Sequence, residues 1–164
     1  MKTVKAGRSA ALLLLPFALS SCVRLREVPA LPREAFVARL TLDSPPATVA
    51  PGARFRVPLL VENRSPAGWP RTGWTSRGRT LSAAYHWRAE DGSMAIFDGL
   101  RTPLRTALRP GERKRISLSV EAPPRPGAYV LEADLVQEGV AWFSNYGSPV
   151  ARAAVRVEGH AVTP

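Results

Sequence analysis

Six segments of this chain carry apolar residues at every second position, and proline or glycine interrupts the sequence between them. In residues 36–42, Phe36, Ala38, Leu40 and Leu42 alternate with Val37, Arg39 and Thr41. In 54–62, Phe55, Val57, Leu59 and Val61 fall on one side, with Arg54, Arg56 and Glu62 on the other. In 81–88, Leu81, Ala83, Tyr85 and Trp87 alternate with Ser82, His86 and Arg88. Segments 113–121, 129–135 and 151–158 continue the pattern through Ile116, Leu118 and Val120, then Tyr129, Leu131 and Leu135, then Ala153, Val155 and Val157. Successive side chains of a strand point to opposite faces, so this period marks strands that cover a core on one side. No long segment has helical periodicity. With short pieces near 94–97 and 140–143, the pattern predicts an all-β fold: an antiparallel two-sheet β-sandwich of about seven to eight strands over residues 36–158.

The turns agree with this reading. Pro51-Gly52, Pro110-Gly111 and Pro126-Gly127 each precede a strand; proline presets the first turn dihedral and glycine accepts the positive φ that follows. Asp91-Gly92 suits a hairpin. Pro58 conflicts with its strand because it cannot donate a ladder hydrogen bond, so an edge position or a bulge is expected there. The chain has one Cys, so no cysteine pair can pin the two sheets and the core must come from apolar area, with Tyr85 and Trp87 as large fillers.

The first 22 residues have a different character. Lys2, Lys5 and Arg8 precede the apolar run from Ala10 to Leu19, and Ser20, Ser21 and Cys22 close it. This is the cationic, hydrophobic, small-residue layout of a secretory signal. The run is about ten residues where about 20 are needed to span a bilayer, and Pro16 interrupts it. Leu19-Ser20-Ser21-Cys22 resembles the bacterial lipobox. That resemblance implies a signal peptide over 1–21, cleavage before Cys22, acylation of its sulfur and new amino terminus, and a partner in the membrane through that anchor. By resemblance to the sorting rule of enteric bacteria, Val23 rather than Asp after the cysteine implies the outer membrane in a two-membrane cell, and otherwise the outer face of the cell membrane. The proline-containing stretch to residue 35 reads as a linker, and 159–164 as a tail.

Removing residues 1–21 takes Lys2, Lys5 and Arg8 from the 23 basic residues and leaves a net charge of +7. The remaining cations are arginines apart from Lys114, and they are scattered. An exported protein meets little nucleic acid, so no nucleic-acid partner is expected; the arginines read first as ordinary cations of a solvated surface, with anionic lipid headgroups or acidic glycans as the next candidates for neighbours.

Two stretches carry a further resemblance. One is Val49-Ala50-Pro51-Gly52 through Val61-Glu62-Asn63, followed by Gly68-Trp69-Pro70. The other joins Tyr85-His86-Trp87, Asp98 to Leu104, Leu108-Arg109-Pro110-Gly111-Glu112, Pro126-Gly127-Ala128-Tyr129 and Asp134 to Phe143. Together they resemble an immunoglobulin-like accessory module found beside bacterial glycosyltransferases, methyltransferases and other proteins of surface-polysaccharide metabolism. The resemblance implies a non-catalytic sandwich.

Candidate chemistry is sparse. His86 and His160 are the two histidines, no Gly-x-Ser-x-Gly elbow is present, and Glu90-Asp91-Gly92 suits a turn better than a glycosidase carboxylate pair. No cofactor or metal is expected. Aromatic faces can stack on sugar C–H surfaces while charged neighbours bond the hydroxyls. Trp69, Trp74, Asp98, Arg101 and Trp142 are therefore the candidate ligand-binding residues, with His86 and Arg88 as weaker additions. The competing reading of Trp69 and Trp142 is closure of the sandwich ends. The expected role is envelope binding, with surface polysaccharide as ligand; the alternative is a protein-interaction or structural scaffold.

Overall fold

The computed structural model describes residues 26–72 and 76–159; the expected signal peptide, Cys22, Trp74 and His160 lie outside them. The strands are β1 (Arg26–Glu27), β2 (Ala38–Leu42), β3 (Thr48–Val49), β4 (Arg54–Asn63), β5 (Ser76–Arg77), β6 (Leu81–Ala89), β7 (Met94–Ile96), β8 (Thr102–Pro103), β9 (Arg113–Glu121), β10 (Gly127–Gln137), β11 (Ala141–Trp142) and β12 (Ala151–Val157). Single 3-10 turns occupy Arg33–Ala35 and Phe143–Tyr146.

The order β2-β4-β9 forms one sheet. The order β3-β12-β10-β6-β7 forms a second, with β11 added to β10 and β8 to β6, and β1 pairs with β5 in a separate two-stranded sheet. Lettering β2, β4, β6, β9, β10 and β12 as A, B, C, E, F and G gives sheets A-B-E and G-F-C, the immunoglobulin-like arrangement. The chain is therefore an all-β, immunoglobulin-like sandwich. Each of the six alternating segments supplies one of these main strands, and the pieces near 94–97 and 140–143 supply β7 and β11.

The inner faces meet in one core. Leu59, Leu118, Leu131 and Leu135 are fully buried, with Phe36, Tyr85 and Trp87 among them. Tyr85 and Trp87 pack edge to face with centroids 6.3 Å apart. Their polar tips find backbone partners on β9: the Trp87 indole N–H donates to the Glu121 carbonyl at 2.9 Å, and the Glu121 N–H donates to the Tyr85 hydroxyl at 2.9 Å. Two bulky rings thus tie the larger sheet to the smaller without a disulfide.

Three expectations are corrected. First, β4 is the central strand of its sheet, so Pro58 is not at an edge. Its carbonyl accepts from the Asp43 N–H at 2.9 Å. A strand residue's N and carbonyl point the same way, so the missing N–H faces β2 just past its last ladder pair, Leu42 with Leu59. The proline is tolerated because the ladder has ended. Second, the stretch before Phe36 is folded from Arg26 onward. Val28 and Ala35 are buried, the Leu31 N–H donates to Gln137 Oε1 at 2.8 Å, and Gln137 Nε2 donates to the Pro29 carbonyl at 2.8 Å. Third, Gly127 does not precede β10 but is its first residue; its φ of +157° is positive as expected, though far from the turn values of Gly52 (φ +65°) and Gly111 (φ +80°).

Candidate functional site

Strands β6 and β10 pair so that His86 stands opposite Glu132, and Ala84 opposite Asp134, on the outward face of the larger sheet. Strand β11 adds Trp142 opposite Val136 on the same side. Between β7 and β8 the chain leaves the β6 ladder and runs over this face as residues 97–101. Gly99 makes that path possible. Its N–H donates to the Tyr85 carbonyl at 3.0 Å, and a Cβ there would stand 2.6 Å from that oxygen and from the Tyr85 ring.

The overlying segment closes an aromatic cluster. The Phe97 ring stacks on His86 with centroids 4.9 Å apart and 27° between planes. Trp142 lies 4.4 Å from His86 and meets Phe97 edge to face at 5.7 Å. His86 is thereby buried at 4% exposure while Phe97 remains 56% exposed. The His86 Nδ1–H donates to the Phe97 carbonyl, and Nε2 lies 3.8 Å from Asp134 Oδ2. Burial pulls the imidazole pKa down, but Asp134, the Phe97 carbonyl and Glu132 outweigh it, and the pKa rises above its ordinary value.

Two charged groups flank the cluster. Arg101 reaches Asp98 at 2.6 Å, Glu138 at 2.6 Å and the Gly99 carbonyl at 2.6 Å, and its guanidinium lies over the Trp142 ring at 4.9 Å. Glu132, 3% exposed, accepts from Arg88 Nε at 3.0 Å and Arg152 Nε at 2.8 Å. Burial raises its carboxyl pKa, yet the two guanidiniums hold it below the usual range. The result is an exposed ring set among fixed donors and acceptors.

Of the residues singled out in the sequence, Asp98, Arg101 and Trp142 come together here. His86 and Arg88 lie on the same face. Trp69 does not: it is 1% exposed, packs edge to face on Phe143 at 5.2 Å, and donates its indole N–H to the Ala35 carbonyl at 2.8 Å. It closes the end of the core, so the expectation of a surface platform at Trp69 is corrected. Phe97 was not among the candidates. Its signal is faint, an aromatic one residue before Asp98-Gly99 at a strand end. Both His86 nitrogens face inward, toward the Phe97 carbonyl and Asp134. Among the described residues no group of three or more His, Cys, Asp or Glu side chains is placed to hold a metal ion.

No family model matches the chain, and no curated protein matches it. Among solved structures, it is similar to the CARDB domain of the PF1109 protein from Pyrococcus furiosus, solved in complex with di-metal ions, at 18% identity and a TM-score of 0.43 over 74% of this chain and 90% of that one. It is also similar to part of the alkylpurine DNA glycosylase AlkC of Pseudomonas fluorescens (15% identity, TM-score 0.45), spanning 30% of that chain, and 74% of this one. A β-glucosidase from Listeria innocua gives 14% identity and a TM-score of 0.45, with 74% of this chain covering 16% of the enzyme. The likeness is one of fold.

Proposed function

We propose that this protein is a non-catalytic, lipid-anchored module of the cell envelope that binds surface polysaccharide on the outward face of its larger sheet. One observation carries the binding part: an exposed Phe97 ring held over His86 and Trp142, with Asp98 and Arg101 fixed beside it. A sugar offers a C–H face and a rim of hydroxyls. The Phe97 ring suits the first, and the Asp98 carboxylate, whose side chain is 65% exposed, suits the second. The ion pairs of Arg101 hold these groups before any ligand arrives, which lowers the ordering cost of binding. The anchor rests on Leu19-Ser20-Ser21-Cys22, with outer-membrane placement following from Val23.

Affinity electrophoresis through gels containing envelope polysaccharide tests the reading. The protein should be retarded, and Phe97→Ala and Asp98→Asn should each abolish most of the retardation while leaving the urea midpoint within the range of a surface substitution. Unchanged retardation in both variants, or none in the parent, overturns it. A defined protein captured by crosslinking in intact cells, without glycan retention, would favour the scaffold role instead.

A further inference from the structure

The two ends of the sandwich differ in charge. At one end β2 begins, β4 ends, β6 and β9 begin and β10 ends. The pairs Ala38 with Asn63 and Glu62 with Arg113 align the ends of the smaller sheet, Leu81 with Gln137 those of the larger, and the Ala38 N–H donating to Ser148 Oγ ties the two together there. The loops there carry Arg33, Arg64, Arg71, Arg79, Arg105 and Arg109, all exposed, against Glu34, Glu112 and Glu138. Glu138 is engaged by Arg101, while Glu62 pairs with Arg64 and Glu112 with Arg109. At the opposite end, the loops between β2 and β4, after β6, before β10 and after β12 carry Asp43, Glu90, Asp91 and Glu158 against Arg125. Scattered in sequence, the arginines gather in space because four separate connections meet at one end.

The same end receives the chain from Cys22. Gln137 holds Pro29 and Leu31 there, and β1 pairs in parallel with β5. Four Cα-to-Cα steps join Cys22 to Arg26, a span of at most about 14 Å fully extended. A membrane surface at Cys22 therefore lies within about 14 Å of Arg26, against a Debye length of about 8–10 Å.

The geometry points to a docking surface: the arginine-bearing end of the sandwich lies against the anionic phospholipid headgroups of the bilayer that holds Cys22. This rests on the anchored reading for its orientation, but the headgroup contact has its own chemistry. Guanidinium groups pair with phosphate oxygens in a fork geometry. The opposite end, with its carboxylates, faces away, and the Phe97 face stands to the side, open to ligands.

The test uses the chain from residue 22 onward with Cys22→Ser, which keeps every core residue from Val28 to Val157 and has no acyl chain. It should sediment with vesicles of phosphatidylglycerol and phosphatidylcholine in equal parts and not with phosphatidylcholine alone. Replacing Arg64, Arg71, Arg79 and Arg109 by Gln should lower the partition coefficient at least about thirtyfold, the loss if only two of the four meet headgroups at about fivefold each. A control replacing Arg54, Arg56, Arg125 and Arg156 by Gln removes the same charge elsewhere and should change it less than about threefold. Equal losses in the two variants, or no dependence on phosphatidylglycerol in the parent, overturn the docking surface. The mass of the mature amino terminus reads the anchor separately: an unacylated chain that still binds these vesicles leaves the surface standing and removes the anchor, and an acylated chain blind to phosphatidylglycerol does the reverse.

Discussion

His86 and Asp134 lie on adjoining strands of the larger sheet with Nε2 3.8 Å from Oδ2, and both side chains are nearly closed to water. A buried imidazole beside a buried carboxylate is stable as a charged pair only while the ring is protonated. Because the folded pKa of His86 lies above 6.5, its protonated form stabilises the fold fully below 6.5, and that contribution is lost as pH rises through the folded value.

Glu132 sets the other limit. Its folded pKa lies below 4.5, so its stabilisation is complete above 4.5 and lost as pH falls through the folded value. Both contributions are present between 4.5 and 6.5. Urea midpoints should decline on either side of this window. His86→Gln should flatten the alkaline limb, and Asp134→Asn should lower the His86 titration midpoint followed by NMR. An alkaline limb in His86→Gln identical to the parent's would sink the assignment.

Trp69→Ala should destabilise the fold by about 3–5 kcal/mol, the cost of removing a large buried aromatic. Trp69→Phe keeps much of the packing against Phe143 but orphans the Ala35 carbonyl, and about 1–3 kcal/mol is expected. Chemical denaturation measures both. A loss under about 1 kcal/mol for the alanine variant would contradict the burial described, since surface positions behave that way.

Gly99→Ala should cost about 1–3 kcal/mol, because the added methyl meets the Tyr85 backbone oxygen and ring and the segment must lift. The same shift separates the Phe97 carbonyl from His86. The His86 titration midpoint should therefore move down together with stability. A stability loss with an unmoved His86 midpoint would show that the two are not linked through this segment.

Mass spectrometry of the membrane-extracted protein should find an amino-terminal peptide beginning at Cys22 and carrying acyl chains. Cys22→Ser should block that processing and leave the chain with residues 1–21 attached. Cleavage at another bond, with Cys22 retained as a free thiol, would refute the lipobox reading.

The main strands were legible because one buried face imposes a period of two, and the sandwich follows from six such faces. What the period does not carry is the position of a strand within its sheet. Pro58 reads as an edge residue from its chemistry, yet it is central because its bare nitrogen meets the end of β2. Stretches without a period were opaque. Pro29 and Leu31 are held by Gln137, more than a hundred positions away, which local pattern cannot encode. Trp69 illustrates the same gap: a tryptophan between Gly68 and Pro70 looks like a loop residue until Ala35 and Phe143 close over it. In the site, Asp98, Arg101 and Trp142 were recognisable by residue type. Phe97 and the burial of His86 were not, because both depend on how Gly99 lets one segment cross another.

The grip of Gln137 on Pro29 and Leu31, with β1 laid parallel to β5, has a mechanical consequence. Tension on the amino-terminal side does not reach a slack leash. It enters the sandwich at the last residue of β10 and loads β1 and β5 along their length. Parallel strands pulled in this way shear together rather than unzip bond by bond, so β1 resists being peeled from the domain.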